Sequence, residues 1–292
     1  MSPGAPRPLA SVMVGPAGGR GPHHDSARAP RAEARLGSTR DTTSKGNDMR
    51  TTHRRLATAG LVAIAAVALG ACGFGPRSVA TDTYTVTEPI TSVRLDLEAG
   101  SVALRGDPSA TEVGIERTVD YTGSYPEQET HRVEDGVLVL SGCGRRCSAS
   151  YSIDLPAGLP VTGGTEHGSI DLASTGAVDV ETSNGSVTLT EVDARIVARS
   201  DNGKVTGTRL GGTDGIDAET SNGAVELSLT TPQDVRAATD NGRVEVTVPD
   251  GSYRIRAETD LGGTDVSVPH DPDGEFEIDA SSSNGRVTVS RG

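Results

Sequence analysis

From residue 161 onwards, apolar and polar residues alternate in short runs, and the runs return in register. Aligned on a Ser or Thr, the residues four and two places earlier form columns. They read Val161-Gly163-Thr165, Val178-Val180-Thr182, Ile196-Ala198-Ser200, Ile216-Ala218-Thr220, Val235-Ala237-Thr239, Ile255-Ala257-Thr259 and Ile278-Ala280-Ser282. A period of two is that of a strand with one buried face. Two places after the Ser or Thr, five of the runs continue into Asn184-Gly185, Asn202-Gly203, Asn222-Gly223, Asn241-Gly242 and Asn284-Gly285. A second alternating run follows, as in Val187-Leu189, Val225-Leu227-Leu229, Val244-Val246-Val248, Val266-Val268 and Val287-Val289. Each repeat is therefore strand, corner, strand, corner. Successive Ser/Thr positions lie 17, 18, 20, 19, 20 and 23 residues apart.

Two folds can use this unit. In an antiparallel meander each Asn-Gly closes a hairpin. In a parallel solenoid each repeat is one rung, and every position sits on its own kind in the next. The like-on-like columns favour the second: an all-β parallel β-solenoid with rungs of about 20 residues, two strands per rung. The corner glycines are expected at positive φ, with the Asn before each tolerating left-handed geometry. The inward Ser/Thr hydroxyls are placed to satisfy turn amides. The outward column Glu181, Arg199, Glu219, Ala238, Glu258, Ser281 offers cross-rung ion pairs as a register signal. Two corners depart from the pattern, with His167 and Leu261 in Asn places.

Before residue 161 the pattern loosens. Residues 92–106 look like an early rung, and 136–140 and 151–161 read as strands. Residues 81–160 are therefore assigned to an irregular N-terminal cap and first rungs, because solenoid ends need covering, and 161–292 to the regular repeats. The composition fits a thin core of small branched side chains: 37 Gly, no Trp and 2 % aromatics. Tyr253 is expected to face that core.

Charge divides the chain. The net charge is −13, with +6 over residues 1–71, which leaves −19 on the remainder. So acidic a domain disfavours nucleic acid as a partner. The basic end contains an address. From Met49, the basic residues Arg50, Arg54 and Arg55 precede an apolar stretch, Leu56 to Leu69, of about 14 residues, short of a bilayer span. It ends in Leu69-Gly70-Ala71-Cys72. This resembles the bacterial lipobox. The resemblance implies a signal peptide over 49–71, cleavage before Cys72 and lipid attachment to its sulfur, with acyl chains of the palmitate class holding the protein on the extracytoplasmic face of the cell membrane. A cleaved signal with an incidental Cys, or an uncleaved anchor, is the alternative. Residues 72–80 then form a linker. Residues 1–48 precede the signal and are expected to be disordered or to lie before the true start at Met49.

The segment 151–172, "YSIDLPAGLPVTGGTEHGSIDL", followed by the iterated "TSNGxV" phrase, resembles the bacterial putative-adhesin family of unknown function. The resemblance spans about residues 80–292 and implies a β-solenoid envelope protein, often lipid-anchored. It brings no functional residues.

Candidate chemistry is sparse. Cys143 and Cys147 belong to an exported segment, where a near pair forms a disulfide; a reactive dithiol beside Arg145 and Arg146 is the alternative. The exported histidines are His131, His167 and His270, and none has triad or metal-ligand spacing. Asp271, Asp273 and Glu275 echo part of a calcium loop but read first as a turn. The acid pairs Asp179/Glu181 and Asp217/Glu219 flank Arg199 and read as a solvated ladder. No catalytic residue, metal site or cofactor is expected. The function expected is an adhesin-like binding or scaffold surface in the envelope, with envelope protein or cell-wall material as ligand. An accessory part of an envelope-stress system is the alternative, and a carbohydrate-active enzyme a more distant one.

Overall fold

The computed structural model describes residues 76–292. The upstream segment, the signal peptide and Cys72 lie outside the described residues. The expected linker is shorter than 72–80, because the first strand, Arg77–Val86, already pairs along its length with Val113–Thr122.

The repeats form a parallel β-solenoid. The first strands of the rungs stack into one sheet and the second strands into another. Register is kept position by position: Ile196 lies beside Ile216, Ala198 beside Ala218, Ser200 beside Thr220 and Asn202 beside Asn222. The core lies between the sheets. The first sheet presents Ala198, Ala218, Ala237 and Ala280, and the second faces them with Leu189, Leu227, Val246 and Val289, all buried. Small on one side and large on the other fills the thin space without aromatic rings. The Ser200 rung shows how tightly this is enforced. Its second strand carries Gly207 where a Leu would stand. The strand slips its register after Gly207, and the buried Leu210 turns in to occupy that place.

The corners correct the expectation about glycine. Gly185, Gly203, Gly223 and Gly285 lie outside the φ window of +20° to +160°, and Gly242 sits at its edge at +159°. They are glycines for lack of room. A Cβ on Gly223 would land on the carbonyl oxygen of Gly203 in the rung below, well inside 3.0 Å, and the same holds for each glycine on its neighbour. The left-handed positions are at the second corner instead, at Ser174 (φ 53°), Glu191 (φ 55°) and Arg209 (φ 53°).

The Ser/Thr hydroxyls also act differently from expectation. They donate to carbonyls, not to turn amides. Thr182 Oγ1 donates to Gly168 O (2.9 Å), Ser200 Oγ to Gly185 O (2.8 Å), Thr220 Oγ1 to Gly203 O (2.8 Å) and Thr239 Oγ1 to Gly223 O (2.9 Å). Each hydroxyl satisfies the corner carbonyl of the rung below. Glycine and hydroxyl are thus one device: the glycine lets the rungs close up, and the hydroxyl caps the oxygen it approaches.

Rung order departs from chain order at both ends. The Ser282 rung (Phe276–Asn284, Val287–Arg291) stacks directly on the Thr239 rung, and the earlier Thr259 rung (Tyr253–Leu261, Thr264–Val266) lies outside it. The hydroxyls record the same order, since Ser282 donates to Gly242 O and Thr259 to Gly285 O. At the other end, Ser92–Ala99 and Val102–Asp107 form a regular rung against the Thr165 rung, while Val137–Ser141 and Cys147–Pro156 lie outside it. The irregular cap begins there and is antiparallel: Arg77–Val86 with Val113–Thr122, that strand with Cys147–Pro156, and His131–Glu134 with Val137–Ser141.

The cap closes the core with a polar plug. Arg117 points inward with its side chain only 7 % exposed. It donates to Asp82 Oδ2 (2.6 Å), Tyr84 Oη (2.9 Å), Tyr125 Oη (2.7 Å) and Thr130 Oγ1 (2.8 Å). Burial opposes its charge, but Asp82, Tyr84 and Tyr125 raise its pKa above the ordinary value. His131 packs on Tyr84 with ring centroids 4.4 Å apart. Burial first, and the Arg117 charge second, push the His131 pKa below its usual value. Its contribution to stability is full above the unfolded pKa of about 6.5 and is lost as pH falls below that toward the folded pKa. Melting temperature should therefore drop as pH falls below about 6.5, and drop less in His131→Gln. Equal drops in the two proteins would show that the plug does not titrate through His131.

Candidate functional site

A repetitive fold builds surfaces before it builds pockets. Parallel stacking turns every outward position into a column about 4.8 Å per step. The charge of each column and the pairing within it decide what a surface can hold.

The outward column on the first sheet is an ion-pair ladder, in which Arg199 keeps the expected Glu219 and takes Asp217 in place of Glu181. Arg199 reaches forward to Asp217 (3.0 Å) and Glu219 (3.8 Å), and Arg236 reaches back to the same two residues (3.2 and 3.5 Å). Glu181 is not among the partners of Arg199. The acid pair Asp217/Glu219 is thus held between two guanidinium groups, which neutralise it and fix its position. Each such exposed pair contributes about 0–1 kcal/mol. Asp179/Glu181 lies one rung beyond Arg199 on the same face, two rungs from Asp217/Glu219.

Beside that acid pair the sheet dips. Gly163 (φ 94°) and Gly164 bring the Thr165 rung into close backbone contact with Leu95 and Glu181 of its neighbours, and a depression of about 450 Å³ lies over this part of the sheet. Asp96, Glu166, Glu181 and Asp201 line it, with Arg199 as its guanidinium. This is an acidic shallow dish suited to cationic or hydroxyl-bearing groups.

The second sheet presents hydroxyls. Thr188 and Thr190 stand beside Thr206 and Thr208, and Ser228, Thr247 and Ser290 follow one another across three rungs. All are half-buried, short and uncharged. Near them Glu226 takes Lys204 (2.9 Å) and also Arg243, so that its pKa is lowered, chiefly by the Lys204 hydrogen bond. The result is a flat polar face.

The expected corner residues form a third surface along one edge. Asn202 Nδ2 donates to Asn184 Oδ1 (3.4 Å), Asn222 to Asn202 (3.2 Å), Asn241 to Asn222 (3.2 Å) and Asn284 to Asn241 (3.1 Å). His167 Nδ1 ends the ladder 3.1 Å from Asn184 Nδ2. With each side-chain amide committed to its neighbour, the column is a structural seam. His167 belongs to it as a corner residue.

The remaining candidates fall in separate places. Cys143 and Cys147 form a disulfide with Cα atoms 5.6 Å apart in the N-terminal cap, with Cys143 buried in the core. Asp271 accepts from the Asp273 amide (3.0 Å), a turn bond, and from Ser252 Oγ (2.7 Å), which ties the turn to the start of the Thr259 rung. His270 Nδ1 accepts from the Ile255 amide (3.0 Å). The Arg117 plug was not legible in the sequence. Its only signal is an Arg at an inward position of an alternating strand.

No family model matches the chain, and no curated protein matches it. Solved structures are similar to it. One is a putative cell adhesion protein from Clostridium sporogenes, 12 % identical, covering 74 % of this chain and 100 % of its own, with a TM-score of 0.38. Another is a putative adhesin from Bacteroides fragilis, 14 % identical over 73 % of this chain and 97 % of its own, with a TM-score of 0.24. A third is a putative adhesin from Parabacteroides distasonis, 11 % identical over 74 % and 97 %, with a TM-score of 0.26.

Proposed function

We propose that the protein is a lipid-anchored envelope protein whose solenoid is an adhesin-like binding or scaffold surface. The observation that carries this reading is the in-register stacking itself. It makes two flat outward faces, one an acidic ion-pair ladder with a shallow dish, the other lined with hydroxyls. Such faces suit long, repetitive, hydroxyl-rich or cationic ligands, met by many weak contacts in parallel. Cell-wall material has that chemistry. The motif Leu69-Gly70-Ala71-Cys72 supports attachment through Cys72 to the outer side of the cell membrane. The ladder roles of Asp217 and Glu219 support a non-catalytic reading of that acid pair.

Two measurements test this. Cells fed a palmitate analogue should label the wild-type protein and leave Cys72→Ala unlabelled. Label on the variant would sink the anchor. Purified wall fragments should retain the wild-type protein, and Arg substitutions at Asp96 and Glu181 in the dish, or at Thr190 and Thr208 on the hydroxyl face, should weaken retention at one face. Capture of membrane proteins with no retention by wall would favour the stress-signalling reading instead.

A further inference from the structure

The corner edge that carries the Asn seam changes character at the N-terminal cap. In the outermost rung the chain passes from Val137–Ser141 in the first sheet to Cys147–Pro156 in the second through residues 142–146, and the Cys143–Cys147 disulfide closes that corner. Arg145 and Arg146 lie between the two cysteines, and both are exposed. Among the described residues the arginines without an ion pair are Arg145, Arg146, Arg195 and Arg286, and the first two are the only neighbours among them. A third cation stands close by. Arg77 lies beside Thr122 in register, and the Thr122 amide donates to Arg146 O (3.1 Å). Arg77 and Arg146 are therefore two strand spacings apart, about 10 Å. The Arg77 side chain is 76 % exposed and shares its charge with Asp120.

The rest of this edge has the opposite sign. One place before the seam stand Glu166, Asp201, Asp240 and Asp260, all exposed. The cations further along it, Lys204 and Arg243, are both tied to Glu226. An anionic surface is thus attracted to the cap end of the edge and repelled by the remainder. The chain also enters at that end. Arg77 is the fifth residue after Cys72, and five residues span at most about 17 Å. A chain held at Cys72 brings this corner, and neither sheet face, to the bilayer surface.

We propose that Arg145 and Arg146, flanked by Arg77, dock the cap on anionic lipid headgroups. A guanidinium group matches a phosphate with two parallel hydrogen bonds, and the disulfide keeps both arginines on one short corner. A basic patch of this kind adds to a lipid anchor and orients what the anchor only tethers. With the cap on the headgroups, the solenoid leads away from the membrane. From Cys147–Pro156 to Thr264–Val266 there are eight strand spacings in the second sheet, roughly 40 Å. The hydroxyl face and the acidic ladder then stand clear of the bilayer for a ligand. The proposal rests on the anchored reading for the nearness of the patch to the membrane, and assigns the contact that the folded surface itself makes.

Footprinting on vesicles tests it. Residues 72–292, the chain left by the proposed cleavage, are coupled through the Cys72 thiol to a maleimide lipid. Cys72 is the one thiol outside the disulfide. Coupling fixes the chain on the vesicle whether or not cells acylate it, so palmitate labelling continues to read the anchor separately. An arginine-selective dicarbonyl then reports each guanidinium by mass spectrometry. On phosphatidylcholine vesicles with about 30 % phosphatidylglycerol, Arg145 and Arg146 should react at least ~5-fold more slowly than on phosphatidylcholine alone. About 0.5 M salt should remove the difference. Arg195 and Arg286 should react alike on both vesicles. Arg77 should be slowed with the patch, and should lose that protection in Arg145→Glu/Arg146→Asp, where Asp suits the left-handed backbone of Arg146 (φ 65°). Circular dichroism confirms that this variant is folded, and the wild-type rates decide the question without it. Equal rates at Arg145 and Arg146 on the two vesicles would overturn the proposal. So would slowing at Arg286, which would mean that the solenoid lies along the bilayer, or protection of Arg77 that persists in the variant.

Discussion

Gly223→Ala should destabilise the solenoid by about 3 kcal/mol or more, far beyond what one methyl group costs at an ordinary strand position. The added Cβ would meet the carbonyl oxygen and carbon of Gly203, which are backbone atoms and cannot swing aside. Relief requires the Thr220 and Ser200 rungs to part at that corner. Parting them stretches the bonds from the Gly203 amide to Asn222 O (3.0 Å) and from the Val205 amide to Ala224 O (3.0 Å). It also pulls Thr220 Oγ1 from Gly203 O, leaving a corner carbonyl without its donor. Two controls separate crowding from conformation. Gly123 has φ 95° and open space around its Cβ position, so Gly123→Ala should cost about 1–2 kcal/mol of left-handed strain alone. Gly114 has neither a positive φ in the left-handed window nor a neighbour within 4 Å, so Gly114→Ala should be close to neutral. Thermal melts of the three variants and of surface Thr188→Val rank these effects. If Gly223→Ala melts with Gly123→Ala, the corner is a conformational site and crowding does not govern it.

That contrast explains what the sequence could and could not disclose. The columns Ile196-Ala198-Ser200 and Ile216-Ala218-Thr220 disclosed the parallel stacking, because only a rung placed on a like rung needs identity at matching positions. The same columns identified the Gly position but not its cause, since a glycine is equally suited to positive φ and to close approach. The true left-handed corner is occupied by Ser174, Glu191 and Arg209, residue types that do not announce it. Side-chain bonds offset part of the cost there, with Arg209 and Ser174 both bonded to Glu191 (2.7 and 3.2 Å), and the Arg209 bond chiefly lowers the Glu191 pKa. The Arg117 plug and the Gly163–Gly164 dish depend on which strands meet across the chain, which no local pattern encodes. The surfaces of the two sheets were legible as alternating polar residues. Their partners, such as Arg236 on Asp217 in place of Arg199 on Glu181, were not.

Rung order is the sharpest case, and a truncation reads it out. Ending the chain after residue 275 should remove two rungs, although it deletes the residues of one. The deleted strands, Phe276–Asn284 and Val287–Arg291, lie between the Thr239 rung and the Thr259 rung. Without them Tyr253–Leu261 loses the neighbour it pairs with from Tyr253 to Leu261, and Thr264–Val266 loses the strand it pairs with from Thr264 to Val266. The fully buried Ile278, Ala280, Val287 and Val289 go with them, and Val235, Ala237 and Val246 are uncovered. At about 1.5–3 kcal/mol for each large buried side chain, the loss is on the order of 5 kcal/mol. Nearest-neighbour coupling confines it to the C-terminal end. Hydrogen exchange should show amides 253–266 unprotected in the truncated chain while 178–229 keep their protection. Stacking in chain order would leave 253–266 protected. The Thr259 rung is poorly suited to move into the gap, because Leu261 cannot continue the seam that Asn284 makes with Asn241, and Arg254 and Arg256 match the acidic Glu277 and Asp279 of the Ser282 rung. Leu261 in an Asn place was therefore the one sequence signal of an end rung, and protection retained over 253–266 would show that these side chains do not set the order.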